Sequence, residues 1–131
     1  MTAGYSGTPL WKKLGFKSAL KVCVLNPPAH YDDLLADGPG DWHRVTEAKQ
    51  ANALHLFIIT VKELSKIPTL AKYLPPATML WVSWPKKTSP LSRGLSEDHI
   101  RATALAAGLV DIKVCAVDAD WSGLKLTRRK T

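Results

Sequence analysis

The chain has little cysteine: two residues in 131, Cys23 and Cys115, each inside an apolar stretch. Two cysteines cannot build the multi-bridge framework of a small secreted protein, and they offer no closely paired zinc ligands. Both read as reduced core thiols. No apolar run approaches the roughly 18 residues that span a bilayer, and Met1 to Leu20 has no signal-peptide hydrophobic region. The expected location is therefore the cytoplasm, with no membrane association. The four histidines, His30, His43, His55 and His99, have no metal-ligand spacing, and His55 reads as a satisfied core histidine. No phosphate-binding loop, nucleophile elbow or paired-carboxylate motif occurs. Neither a metal nor a cofactor is expected. Repeats and linkers are absent as well, so 1–131 reads as one domain, with 1–19 an N-terminal arm and short helix and 20–131 the core.

What the chain does have is an uneven positive charge, formally +7 at pH 7. Lys12, Lys13, Lys17 and Lys21 precede any acid. Asp32, Asp33, Asp37 and Asp41 form an acidic island, and Lys125, Arg128, Arg129 and Lys130 close the chain. Such a balance favours an anionic partner, a phosphate or carboxylate first. Nucleic acid is not expected: the basic C-terminal end is short, and the helix predicted from Ser96 carries only Arg101 as a cation.

The pattern of elements is that of an α/β protein. Thr8 as N-cap and Pro9 at the first helical position open a short helix closed by Gly15. Leu20 to Asn26 is a β-branched strand stopped by Pro27-Pro28, and a short helix with Tyr31, Leu34 and Leu35 on one face follows. Trp42 to Thr46 is an edge-strand candidate. Ala53 to Thr60, continuously apolar, is a strand covered on both faces. A helix over about 61–74 is kinked or split by Pro68, and Thr78 to Trp84 is the next buried strand. A helix from Ser96 to Ala107, with Glu97 and Asp98 in its first turn, ends at Gly108. Val110 to Asp118 and Trp121 to Arg129 form a hairpin around Ala119 and Asp120. The expected architecture is a three-layer sandwich: a mainly parallel sheet ending in an antiparallel hairpin, helices on both faces.

Ligands of open α/β sheets bind outside the carboxyl ends of the parallel strands. The strand LWVSWPKK ends there in Trp84, Pro85, Lys86 and Lys87, because Pro85 has no N–H for the ladder. Asn26 leaves the same edge, and the hairpin brings Asp118, Asp120, Trp121 and Ser122 to it. The candidate site for a small anionic ligand is therefore Asn26, Trp84, Lys86, Lys87, Trp121 and Ser122. The lysines supply charge, the tryptophans a wall, and Asn26 and Ser122 hydrogen bonds. Tyr5 and Ser6 join it if the glycine-flanked start folds over that edge. An alternative is a divergent transferase using Asp118 or Asp120 as a general base. Another is a protein- or nucleic-acid-interaction module acting through its basic surface; separately, a protein partner or a second copy is a candidate to complete the short sheet edge near Trp42.

The order of elements resembles the closing part of a class I methyltransferase-like Rossmann fold. The phrases GYSGTPLWKKLG, LWVSWPKK and GLVDIKVCAVDADWSGL resemble the bacterial domain-of-unknown-function family 3052 over essentially the whole chain. That family brings no activity with it. The methyltransferase resemblance implies a shortened version of the fold, since only about six residues separate the Trp42 strand from Ala53 and a parallel crossover needs a dozen or more. It also implies a glycine-rich turn after the first strand to hold S-adenosylmethionine, where this chain has Asn26-Pro27-Pro28. Glu47 stands about 21 residues further on, where an acid would meet a ribose hydroxyl. Without the cradle, the expected molecule is a degenerate, non-catalytic binding module.

Overall fold

Short apolar strands alternating with helix-forming stretches bury both faces only if helices cover the sheet on each side. The computed structural model, which describes residues 8–129 apart from Pro39 and Pro76, has that arrangement. Six strands, β1 (Lys21–Leu25), β2 (His43–Arg44), β3 (Ala53–Phe57), β4 (Met79–Pro85), β5 (Leu109–Ala116) and β6 (Trp121–Arg128), form one sheet in the order β2-β1-β3-β4-β6-β5. β1 to β4 are parallel, and β6 runs antiparallel between β4 and β5. This is the mainly parallel sheet with a terminal hairpin that the pattern predicts.

Side chains alternate across the sheet because a strand has a period of two. Leu54, Leu56, Leu80, Val82 and Trp84 face α3 (Lys66–Tyr73) and α4 (Glu97–Ala106), which bury Ile67, Ala71, Ile100 and Ala104 against them. Val22, Ala53 and Trp81 face the other way, toward Leu10 and Trp11 of α1 (Leu10–Lys13). Further along that second face, Tyr31 of α2 (Tyr31–Leu34) packs with Phe57, Val117 and Trp121.

Three boundaries differ from expectation for identifiable reasons. α1 begins at Leu10, with Pro9 in the capping position, where its carbonyl accepts the Lys12 and Lys13 N–H groups. The segment 61–74 does split, but at Ser65: a 3-10 turn (Val61–Ser65) hands over to α3, and Pro68 falls in the first turn of α3, where its missing N–H costs nothing. The connection from β2 to β3 uses only residues 45–52. It is that short because β2 pairs with Lys21 and Val22 alone, at the start of β1, so the chain need not travel the length of the sheet.

No helix among the described residues is long and apolar enough to cross a membrane. Tyr5 and Ser6 lie outside the described residues, as do Lys130 and Thr131 of the basic end.

Candidate functional site

β1 hands the chain to β2 on one side while β3 hands it to β4 on the other. The crevice between their carboxyl ends is the switch point at which open α/β sheets take ligands. A cleft of about 370 Å³ opens there, floored by Leu25 and Leu56 and walled by Leu70. Asn26, Ser65, Lys66 and Thr69 supply its polar lining. An apolar floor with a few converging polar groups is the usual composition of a small-molecule site.

Two of these polar groups, Asn26 and Lys66, are held by one carboxylate. As β3 ends, Glu63 turns back and accepts from the N–H groups of Ile59 (2.9 Å) and Thr60 (3.1 Å) and from the Thr60 hydroxyl (3.2 Å). Its other oxygen receives the Asn26 side-chain amide at 3.4 Å and lies 3.6 Å from Lys66 Nζ. Burial alone would raise the Glu63 carboxyl, but these hydrogen bonds and Lys66 outweigh it and keep it below its ordinary value. Asn26 has φ 59°, the left-handed region, which asparagine tolerates better than most non-glycine residues. Lys66 is half exposed, so its charge faces both Glu63 and solvent.

The other sequence-predicted residues are distributed along the same edge. Lys86 and Lys87 follow β4, and the Lys86 N–H donates to the Asp120 carbonyl at 2.8 Å. Among the described residues neither lysine has an ion-pair partner. They lie two strands from Asn26, about 10 Å across the sheet. The sheet separates the two tryptophans: Trp84 is buried on the α3/α4 face and Trp121 on the α1/α2 face. Ser122 is paired with Trp84 across β4 and β6. The edge thus collects Asn26, Lys86 and Lys87, while Trp84 and Trp121 sit in the core.

Asp118 is buried and fully engaged. Its Oδ1 accepts the N–H groups of Asp120 (2.8 Å) and Trp121 (2.9 Å), and His30 Nε2–H donates to its Oδ2 at 2.7 Å. Those bonds hold the hairpin and tie it to the loop after β1. His30 carries no sequence signal of this role, since its partner is 88 residues away. Lys66, Ser65 and Thr69 were likewise missed: they become site residues only because α3 packs beside β1. A second polar cluster lies sealed under α2. His55 shares hydrogen bonds with the Tyr31 hydroxyl (2.9 Å) and the Ser83 hydroxyl (2.7 Å) and stacks on Phe57. A neutral imidazole donates through one nitrogen and accepts through the other, so both hydroxyls are satisfied. Burial pushes His55 down to about 3 and the Tyr31 hydroxyl up. No cluster of three or more metal-ligating side chains occurs among the described residues.

No family model matches the chain, and no curated protein matches it. Solved structures do. An O-methyltransferase family 2 protein from Planctomyces limnophilus, in complex with apigenin, superimposes with a TM-score of 0.63 at 12% identity, over 98% of this chain and 54% of its own. The [4+2]-cyclase SpnF gives 0.61 at 7% identity over 93% and 79%. LepI, in complex with SAM, gives 0.53 at 11% identity over 93% and 47%. The chain thus spans about half the length of two of these. At such identities the likeness is one of fold: this is a methyltransferase-like Rossmann architecture.

The residues present do not fit S-adenosylmethionine in the mode of that fold. A glycine turn would offer backbone N–H groups after β1, but Pro27 and Pro28 have none to offer. Glu47 is displaced too. It shares a surface recess with Tyr73, at the carboxyl end of α3 and hence beside the amino ends of the strands, and its nearest charge is Lys49 at 4.0 Å.

Proposed function

We propose that this protein is a non-catalytic, methyltransferase-like module that binds a small anionic molecule in the crevice between β1 and β3. Lys66 supplies the charge, and the Asn26 amide and the Ser65 and Thr69 hydroxyls supply hydrogen bonds. Leu25, Leu56 and Leu70 take an apolar portion of the ligand. Lys86 and Lys87, on the same edge, raise the local concentration of anions and contact a ligand long enough to cross β3.

The position of the cleft supports this reading above all: it is a formed cavity of ligand size at the switch point, with a cation at its rim. The net charge of +7 acts in the same direction. A thermal-shift screen against phosphorylated and carboxylated metabolites, with S-adenosylmethionine and S-adenosylhomocysteine included, tests it. A ligand at about a hundred times its dissociation constant adds roughly 2.7 kcal/mol, a shift of several degrees at this size. The expected hit is an anion whose shift disappears in Lys66→Ala. A hit that survives Lys66→Ala, or a hit for S-adenosylmethionine alone, contradicts the proposal.

A further inference from the structure

We propose that a second cleft, beneath α2 on the opposite face of the sheet, binds a zwitterionic α-amino acid with a bulky apolar side chain. This cleft has a volume of about 310 Å³, and its interior is apolar and aromatic, with Phe16, Leu35 and Trp42 among its walls. At its rim Arg44 Nη1 donates to Asp32 Oδ1 at 3.0 Å, and the Arg44 guanidinium lies 5.7 Å from the Tyr31 ring centre. The proposal does not depend on the β1–β3 crevice.

The walls are held in place before any ligand arrives. Trp42 Nε1–H donates to the Lys17 carbonyl at 2.8 Å, and its ring meets Phe16 edge-on at 5.7 Å. Gly38 leaves the space the indole needs: a Cβ there would stand 2.3 Å from Trp42 Cη2. A rigid aromatic wall of this kind costs little entropy when a ligand packs on it.

The rim selects the charge of the ligand. A simple anion drawn to Arg44 would face the Asp32 carboxylate, and a simple cation would face Arg44. A neutral apolar molecule would use neither. An α-carboxylate and an α-ammonium on one carbon satisfy both side chains together, with the apolar side chain directed into the cleft. Opening the existing pair costs little, because Arg44 is 51% and Asp32 88% exposed and ion pairs this open are weak.

The test is a ¹⁵N-resolved titration of the full chain with L-phenylalanine, L-tryptophan and L-leucine. 3-Phenylpropionate and phenethylamine, which each lack one of the two charges, are run in parallel. One of the amino acids is expected to move the Trp42 indole N–H resonance saturably, and to bind roughly tenfold or more tighter than either single-charge analogue. Arg44→Gln should weaken it by a similar factor, and Asp32→Asn should remove the preference over 3-phenylpropionate. Both replaced side chains are exposed, so folding is checked by an unchanged melting curve, and the comparison among ligands needs no variant at all. A Trp42 resonance that none of the three amino acids moves, or an analogue that binds as tightly as the amino acid, overturns the proposal.

Discussion

The protein holds two polar clusters beside the same strand, β3, and they differ in one respect. Under α2, Tyr31, His55 and Ser83 are buried and answer one another's hydrogen bonds. Across the sheet, Glu63 gathers Asn26, Thr60 and Lys66 at the mouth of a cavity, and Lys66 remains half exposed. Chemical type does not separate them, since a histidine flanked by two hydroxyls looks more catalytic than a lysine beside a glutamate. Access does. A closed, fully satisfied network specifies packing, whereas an open one with a half-exposed cation at its mouth can meet a ligand.

The largest expected effect sharpens that contrast through pH. The folded protein keeps His55 neutral down to about 3, while the unfolded chain takes up its proton below the ordinary value near 6.5. The unfolded state thus binds the extra proton between those values, and stability falls as the pH drops through that window. The loss reaches about 4–5 kcal/mol by pH 3, read from urea unfolding at stepped pH. His55→Leu should flatten that part of the profile. The same variant strands the Tyr31 and Ser83 hydroxyls without partners, so it should lower stability at pH 7 by about 2–5 kcal/mol, measured by chemical denaturation. A loss below 1 kcal/mol would mean that the sealed cluster is not the packing device described.

At the open cluster the expected stability effects are smaller and the binding effects larger. Glu63→Gln weakens charge-assisted bonds at the end of β3 and should cost about 1–3 kcal/mol. Because the folded protein favours ionised Glu63, that contribution is lost as the pH falls below the ordinary carboxylate value, and the variant should lack this acid limb. Lys66→Ala removes only a half-exposed partner, so the melting temperature should move by less than about 1 kcal/mol's worth. Ligand affinity should fall by roughly tenfold or more. A Lys66→Ala variant that loses several kcal/mol of stability yet keeps its affinity would invert the comparison.

Much of the architecture was legible in the chain because it depends on local signals. The continuous apolar run Ala53 to Thr60 marked a doubly covered strand, which the structure ends at Phe57, and Pro27-Pro28 marked the end of the first strand. Ser96, Glu97 and Asp98 marked the start of α4, where Ser96 Oγ accepts the His99 N–H at 3.3 Å. The carboxyl edge of the sheet could be named as the expected ligand side, and Asn26 lines a cleft that opens there. What could not be read was which groups turn inward. Trp84 and Trp121 sit one pleat out of step across β4 and β6, so the sheet sends them to opposite faces, a consequence of register that spacing along the chain does not reveal. Lys66 and Thr69 line the crevice through helix packing, and His30 meets Asp118 through a contact spanning 88 residues.

The most direct test of the central claim is a ¹⁵N titration with phenyl phosphate, which carries an anion and an apolar body of the size the crevice accepts. The account predicts saturable shifts of the Asn26 side-chain amide and of the backbone N–H groups of Ser65, Lys66 and Thr69, lost in Lys66→Ala. Shifts confined to the turn at Lys86 and Lys87, or no saturable shift anywhere on the strand-end edge, would contradict it.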